Sequence, residues 1–363
     1  MAPIGARLLV AGLAALAMAV LAFVRPRSAR LAALLAAAIV TGDLVYASTG
    51  LTPVADPALY TFRPPALQYL RPAPGTRVFS FDYFEPGQAE RFLGHPGYLL
   101  KVPRQQWPVP WADAAALRAG MYPALLAYWK VQDAYRIDWL GLYPPHLTAL
   151  VSASRRAMLT PGFVRLLQIG AVTHVIALHR EGLEDLVPVA EVPSLFIEDV
   201  LVFQVPNALP PAYAVDGTRV ADDTEAARLL LDPSLDVRRE IVLPTGAPAP
   251  RQPGFAGEAR IVEWAADRVT VEARLSGPGY VVLVEGFDPS WRATVDGKPA
   301  EVLCANLGFR AVAAGAGDHR VVFTYRPVAA LVGLALSMAT LIACAAILAW
   351  PRRTAAPPAV LSA

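Results

Sequence analysis

Cysteine, histidine and net charge are all scarce in this sequence, and each scarcity closes off a class of function. Two cysteines occur in 363 residues, Cys304 and Cys344. Cys344 lies inside a long apolar run and Cys304 outside any, so the two cannot meet and no intramolecular disulfide is expected. The five histidines form no Cys/His cluster at zinc-ligand spacing. His319 alternates with apolar neighbours and has no second ligand at useful spacing, so it reads as a polar-face or hydrogen-bonded histidine. The formal charge is +2, from 32 basic and 30 acidic residues. No basic run extends beyond an arginine pair, which argues against nucleic acid as a partner. A Gly-rich phosphate loop, HExxH, GxSxG and Cys-x-x-Cys are all missing. No complete catalytic constellation stands in the chain, and no cofactor is expected on it.

What the chain has in excess is apolar surface. Apolar residues make up 55% of it and the mean hydropathy is +0.41, with the excess gathered at the two ends. Leu8 to Val24 carries no charge and is followed by Arg25, Pro26, Arg27 and Arg30. Leu31 to Ser48 is a second run, and Val328 to Trp350 a third, ending at Pro351, Arg352 and Arg353. Crossing the hydrocarbon core takes at least about 17 residues. The sequence therefore predicts a membrane protein with three transmembrane α-helices. Positive charge marks the cytoplasmic side. That puts the 25–30 arginines inside, the amino terminus outside, residues 49–326 extracytoplasmic and residues 351–363 in a cytoplasmic tail. A cleaved signal peptide would need a small-x-small site after the first run, where Arg-Pro-Arg stands instead. Ala29, Ala32, Ala33, Ala36 and Ala37, and later Ala329, Gly333 and Ser337, give small faces of the kind that pack helices in lipid. Heavy use of alanine alone would give the same pattern.

The outer region divides by pattern. From 49 to 244, helix and strand signals mix, as in an α+β or α/β domain. Arg77 to Phe81 reads as a strand after Pro74-Gly75, His146 to Met158 as a helix and Phe163 to Ile169 as a short one. Val172 to Leu178 reads as a buried strand, and Leu195–Ile197 with Leu201–Val205 as a hairpin around Glu198-Asp199. Asp223 to Leu231 reads as a helix capped by Asp222 or Asp223. Residues 245–254, rich in proline and glycine, read as a linker. From 255 to 326, seven short alternating strands predict an all-β sandwich. They are Ala259–Trp264, Arg268–Leu275, Tyr280–Glu285, Trp291–Val295, Ala300–Leu303, Phe309–Ala313 and His319–Tyr325, with a hairpin turn at Asp296-Gly297.

The segment GYVVLVEGFDPSWRATVDGKPAEVLCANLGFRAVAAGAGDHRVVFTYRP, followed by an apolar helix, resembles the carboxy-terminal end of the YfhO-like bacterial membrane proteins. The matching residues are Trp291, Asp296, Gly297, Asn306, Arg310, Ala311, Val312, Gly317, His319, Tyr325 and Pro327. Leu166 to Val175 and Phe203 to Val215 are similar to upstream segments of that family, with Pro211 where arginine is common there. The resemblance implies a GT-C-type glycosyltransferase system in the bacterial cytoplasmic membrane. Such a system transfers sugar from a polyprenyl-phosphate carrier to a cell-envelope acceptor. It also implies an amino-terminal multi-helix bundle with a catalytic carboxylate in its first outward loop. This chain begins where the family's last helices begin. The expectation is therefore a non-catalytic portion working with a separately encoded or missing bundle, with any divalent metal ion belonging to that partner. The other expectation is a membrane-anchored envelope protein that only binds or supports.

Candidate site residues follow from chemistry and place. Asp43 is a carboxylate within the second apolar run, where a charge is costly, and Asp56 lies just beyond it; together they are the candidate catalytic pair. Tyr60, Phe62, Tyr69, Phe79, Phe81, Tyr83, Phe84, Trp107 and Trp111 make the next stretch aromatic, as a saccharide or lipid cleft or as core. Arg63, Arg71, Arg77, Arg91 and Arg104 are interleaved, and Arg63 and Arg71 are candidates for a carrier phosphate. Trp291 and Tyr325 serve either as a sugar-stacking platform or as sandwich core. The partners expected are the lipid bilayer, a lipid-linked sugar and the missing bundle.

Overall fold

The structure, a computed structural model, describes residues 4–24, 29–48, 57, 61–70, 76–101, 109–122, 126–138 and 140–349. The chain forms two compact units, Met1–Arg63 and Pro64–Ala363. The first holds α1 (Ile4–Val24) and α2 (Ala29–Ser48), packed against each other. Both are built from alanine and leucine, the strongest helix formers. Among the described residues, two helices, one near each end of the chain, are long and apolar enough to cross a membrane, over Leu31–Ser48 and Val328–Ala346. In α1 the apolar run Val10–Val20 is shorter.

The second unit begins with a five-stranded mixed sheet in the order β2-β1-β3-β5-β4. Its strands are β1 (Arg77–Ser80), β2 (Gln132–Asp133), β3 (His174–Ala177), β4 (Val187–Val192) and β5 (Val200–Gln204). β1 runs parallel to both β2 and β3, and β5 is antiparallel to β3 and β4. Among the described residues four α-helices punctuate the sheet: α3 (Gln88–Leu93), α4 (Val109–Ala119), α5 (Pro145–Ala157) and α6 (Pro161–Ile169). α5 and α6 both start on a proline, which lacks the N–H that a first turn leaves unused. The hairpin expected at 195–205 is displaced. The partner of β5 is β4, an edge strand that tolerates Pro188 next to a register shift. Residues 195–197 instead bridge to 99–101, with Lys101 N–H donating to Leu195 O at 2.8 Å and Ile197 N–H to Leu99 O at 2.9 Å.

Nine of the remaining strands form a sandwich that starts earlier in sequence than expected. One sheet has the order β14-β15-β11-β6, the other β13-β12-β16-β10-β9. β6 (Ala212–Val215) is an edge strand paired with β11 (Gly279–Gly286). The Pro/Gly segment 245–254, expected as a linker between domains, therefore lies inside the sandwich region. It is tied down there: Thr218 and Ala249 exchange backbone bonds, and Arg239 grips Asp216 at 2.8 Å and the Gln252 carbonyl at 2.9 Å. The other strands are β9 (Gly257–Trp264), β10 (Arg268–Leu275), β12 (Trp291–Val295), β13 (Lys298–Ala300), β14 (Leu303–Ala305), β15 (Phe309–Ala314) and β16 (Gly317–Tyr325). The single strand expected over 300–303 is two, because the chain leaves one sheet after Ala300 and joins the other at Leu303. Asp296 and Gly297 turn β12 into β13 with φ of 52° and 79°, both left-handed, which is why Asp-Gly occupies the turn.

The four-stranded sheet is buried on both faces. Val282, Val284, Tyr213 and Ala311 face the core shared with the α/β sheet, while Val281, Leu283, Ala212 and Val312 face the other sandwich sheet. Burial on both sides explains why Val281 to Val284 is a continuous apolar run rather than an alternating one. A small parallel pair, β7 (Gly217–Val220) and β8 (Glu240–Leu243), flanks it under α7 (Asp223–Leu231). Asp222 caps α7, accepting from Thr224 N–H at 3.0 Å and Glu225 N–H at 2.9 Å. Buried Asn306 ties β8 in by accepting from Val242 N–H at 2.9 Å. β16 then leads across Arg326 and Pro327 into α8 (Val328–Ala349), the second membrane-length helix.

Candidate functional site

The α/β sheet has a topological switch point. From β1 the chain proceeds to β2 on one side, whereas from β3 it proceeds to β4 and β5 on the other. A crevice opens where adjacent parallel strands send their chains opposite ways, and ligands of open α/β sheets bind there. The residues leaving β1 are Phe81, Asp82, Tyr83, Phe84 and Glu85; those leaving β3 are Leu178 and His179.

These two exits are bonded together. The Tyr83 hydroxyl accepts from Leu178 N–H at 2.7 Å and stands 2.6 Å from His179 Nδ1. The hydroxyl's own proton has Nδ1 as the acceptor within reach, an arrangement that puts the proton of a neutral imidazole on Nε2, which is buried and without a hydrogen-bond partner among the described residues. Phe92 stacks on the His179 ring at 4.0 Å and Phe81 meets it edge-on at 4.5 Å. Burial pushes His179 down to about 4 and the Tyr83 phenol well above its ordinary value. The dyad is thus a neutral plug at physiological pH, and too weak a base for proton transfer there.

Beside it lies an aromatic ledge over a carboxylate. Asp82, 3% exposed, accepts from Phe84 N–H at 3.0 Å and from the Tyr122 hydroxyl at 3.1 Å. Phe84 is 51% exposed, and its ring lies 4.7 Å from Tyr98 and 5.7 Å from Tyr122. Tyr122 is pushed up to about 12 by burial and the adjacent Asp82 charge. On the other side Glu85 pairs with Arg155 at 3.3 Å. Burial holds the Glu85 carboxyl above the usual range against the pull of Arg155, and lowers Arg155 itself. The arrangement offers one ring face to solvent; the Tyr122 hydroxyl behind it is engaged by Asp82, and the Tyr98 hydroxyl accepts from Tyr83 N–H at 3.2 Å.

A second polar cluster joins the two halves of this unit. Glu285, at the end of β11, accepts from Arg77 at 2.8 Å and from Gln132 at 2.9 Å, with Arg310 3.9 Å away. Arg310 lies 3.7 Å from the Trp291 ring centre, and burial pushes its guanidinium down to about 10. Arg77 is therefore a buried tie between sheets, not a phosphate contact.

The residues singled out in sequence scatter. Asp43 is half-buried on α2 and Arg63 is exposed. Asp56 and Arg71 lie outside the described residues, as do Tyr60, Trp107 and Arg104, so the pairing of Asp43 with Asp56 does too. Trp291, 9% exposed, belongs to the sandwich core with one face under Arg310, and Tyr325 packs on it at 5.2 Å. That takes the Trp291 ring away from any platform. Phe79, Phe81 and Tyr83 are core, whereas Phe62 and Phe84 are exposed. Asp82, Glu85, Tyr98, Tyr122, Arg155 and His179 were not legible as a group. The one available signal was a carboxylate directly after the RVFSF strand. Compared with family models, with curated proteins and with solved structures, the chain matches none.

Proposed function

We propose that this chain is the membrane-anchored, extracytoplasmic part of a YfhO-like glycosyltransferase system. In this reading its large unit binds saccharide while a separate multi-helix bundle supplies the catalytic carboxylate. The reading rests on one observation, the Phe84–Tyr98–Tyr122 ledge beside Asp82 at the switch point. A half-exposed ring takes the apolar face of a pyranose. In the same reading α1, α2 and α8 all cross the bacterial cytoplasmic membrane, with the amino terminus and the large unit outside. A lipid-linked sugar is the donor, and a divalent ion, where one is needed, sits on its phosphate at the partner's site.

A second reading, an envelope protein that binds or supports without catalysis, is favoured by a different observation. Asp82 and Glu85 are both engaged with protein groups rather than aimed at open space.

Co-expression with the product of the adjacent upstream reading frame tests the first reading. A many-helix partner is expected to co-purify from membranes. Sugar transfer from a polyprenyl-phosphate donor is expected to fall about tenfold in Phe84→Ala, the effect of losing roughly 1.4 kcal/mol of contact. A chain that purifies alone, with transfer in membranes indifferent to Phe84→Ala, leaves the binding role.

A further inference from the structure

We propose that the loop at residues 138–143 rests in the headgroup layer of the bilayer that α8 enters, and so docks the large unit on the membrane surface. The proposal rests on the reading of α8 as a membrane span and adds a second, non-helical contact with lipid to it. The loop reads Asp-Trp-Leu-Gly-Leu-Tyr. Leu140 is 78% exposed and Leu142 75%, more than any other large apolar side chain among the described residues. Single exposed leucines are ordinary on a protein surface, but these two flank one turn that holds them out. Asp138 accepts from Leu140 N–H at 3.2 Å and from Tyr143 N–H, and Gly141 turns the chain at a φ of 67°. Those backbone donors, that of Tyr143 above all, hold the Asp138 carboxyl below the usual carboxylate range. The carboxylate therefore stays charged, and a charge and irregular backbone both stay out of the hydrocarbon core. The contact is shallow for that reason, with the leucines entering and Asp138 left at the headgroups.

The place of the loop says what covers it. α5 starts directly after it, and His146 in the first turn stands with Nε2 3.2 Å from the Phe287 carbonyl and its ring 5.4 Å from the Phe287 ring. Phe287 opens the connection from β11 to β12. Ser290, in the same connection, accepts from Arg326 N–H at 2.9 Å, and Trp291 pairs with Tyr325. Arg326 and Pro327 lead straight into α8. These contacts put the start of α5 at the end of the large unit from which α8 leaves. Leu142 is four residues from His146, a stretch of at most about 14 Å. The first turns of α8 expose Val328, Leu331 and Leu334, and the lipid that covers them is within reach of the loop. Docking has a consequence for the ledge. Arg155, which meets Glu85 at 3.3 Å, is nine residues beyond His146 on α5, about 14 Å along its axis. A docked loop thus sets the distance between the Phe84 ledge and the membrane.

The test uses the full chain with Cys304→Ala and Cys344→Ala, carrying one environment-sensitive fluorophore at a time on Leu140→Cys, Leu142→Cys, Ser337→Cys or Lys298→Cys. Each protein is reconstituted in vesicles of phosphatidylcholine and phosphatidylglycerol, with and without a phosphatidylcholine bearing a nitroxide high or low on its acyl chain. Ser337 lies midway along α8 and reports whether that helix is in lipid. Lys298 is exposed opposite Val295, at the end of β12 away from Tyr325, and reports water. Labels at 140 and 142 are expected to shift to the blue and to lose at least about half of their emission to the high nitroxide, since interfacial segments sit about 5–10 Å deep. The label at 298 is expected to keep its emission. Quenching at 337 with none at 140 and 142 would overturn the proposal and leave the membrane span standing. A blue shift at 140 and 142 without quenching would also overturn it, by placing protein rather than lipid on the loop. Equal quenching at 298 would do the same, by showing that the fluorophore itself seeks lipid. No quenching at 337 by either nitroxide would remove the span, and the proposal with it.

Discussion

The α/β region buries one of its histidines, His179, neutral, whereas the sandwich keeps His319 charged near the surface, and acid acts on the two in opposite senses. His179 has an apolar ring on each side and accepts from Tyr83. His319 stands between a carboxylate and a carbonyl. Burial disfavours the charged imidazole at the first, and a partner stabilises it at the second. The comparison teaches what each region does with its polar groups. At the switch point polar groups are consumed in holding the crevice shut, and ring surface is what remains. On the outer face of the sandwich the ion pairs Arg260–Glu272 and Arg274–Asp318 stay exposed to water.

The sharpest way to break the comparison is to cut the tie between the regions. Glu285 receives Arg77 and Gln132 from the α/β sheet and stands near Arg310 of the central sheet. Glu285→Ala leaves two buried guanidiniums short of their carboxylate, a change that costs about 3–5 kcal/mol. Chemical denaturation is expected to show that loss, the largest of any single change considered. A loss under about 1 kcal/mol would mean that the two regions are joined by packing alone.

Next comes the acid response of the α/β region. The unfolded chain protonates His179 near its ordinary 6.5, and the folded chain only near 4. Stability from this group is therefore present above pH 6.5 and lost as pH falls toward 4, by about 3 kcal/mol in all. His179→Asn, whose amide oxygen can still accept from Tyr83, is expected to flatten that stretch of the stability–pH curve. A wild-type curve already flat between pH 6.5 and 4 would contradict the buried neutral ring. Tyr83→Phe should cost less, about 2 kcal/mol, because it strands one backbone N–H and one ring nitrogen without adding a charge. An unchanged melting temperature would show that water replaces the hydroxyl.

How much of this could be read from the chain alone follows from how local each feature is. β10 and β16 alternate, the Asp296-Gly297 turn is fixed by two neighbouring residues, and Asp222 caps the helix beside it; all three were legible. So were the apolar stretches that form α2 and α8. The switch point was not. It arises because β1 and β3, far apart in sequence, lie parallel and bring Tyr83 to His179, and no local period encodes that. β6 was missed for a related reason. Its pairing with β11 spans the Pro/Gly segment, whose turn residues look the same whether they separate domains or connect strands within one. The carboxy-terminal motif drew notice to Trp291, Asp296 and Arg310. Trp291 and Arg310 pack the core, and Asp296 holds a turn by accepting from Arg320 N–H at 2.8 Å. Those are jobs of architecture, so the residues of that segment mark strands and a turn rather than a site.

The smallest expected effect belongs to His319, because its pair is open to water and screened. Its sign is nevertheless definite. The Asp296 hydrogen bond raises the folded value above 6.5. The stabilisation is fully present below pH 6.5 and fades as pH rises through the folded value, opposite to His179. His319→Gln should therefore lower stability relative to the unchanged protein at pH 6, with the gap closing toward pH 9. Salt should shrink the gap at pH 6 as well, since the Debye length falls to about 3 Å at 1 M. If the gap persists at pH 9 and ignores salt, His319 contributes through its packing rather than its charge.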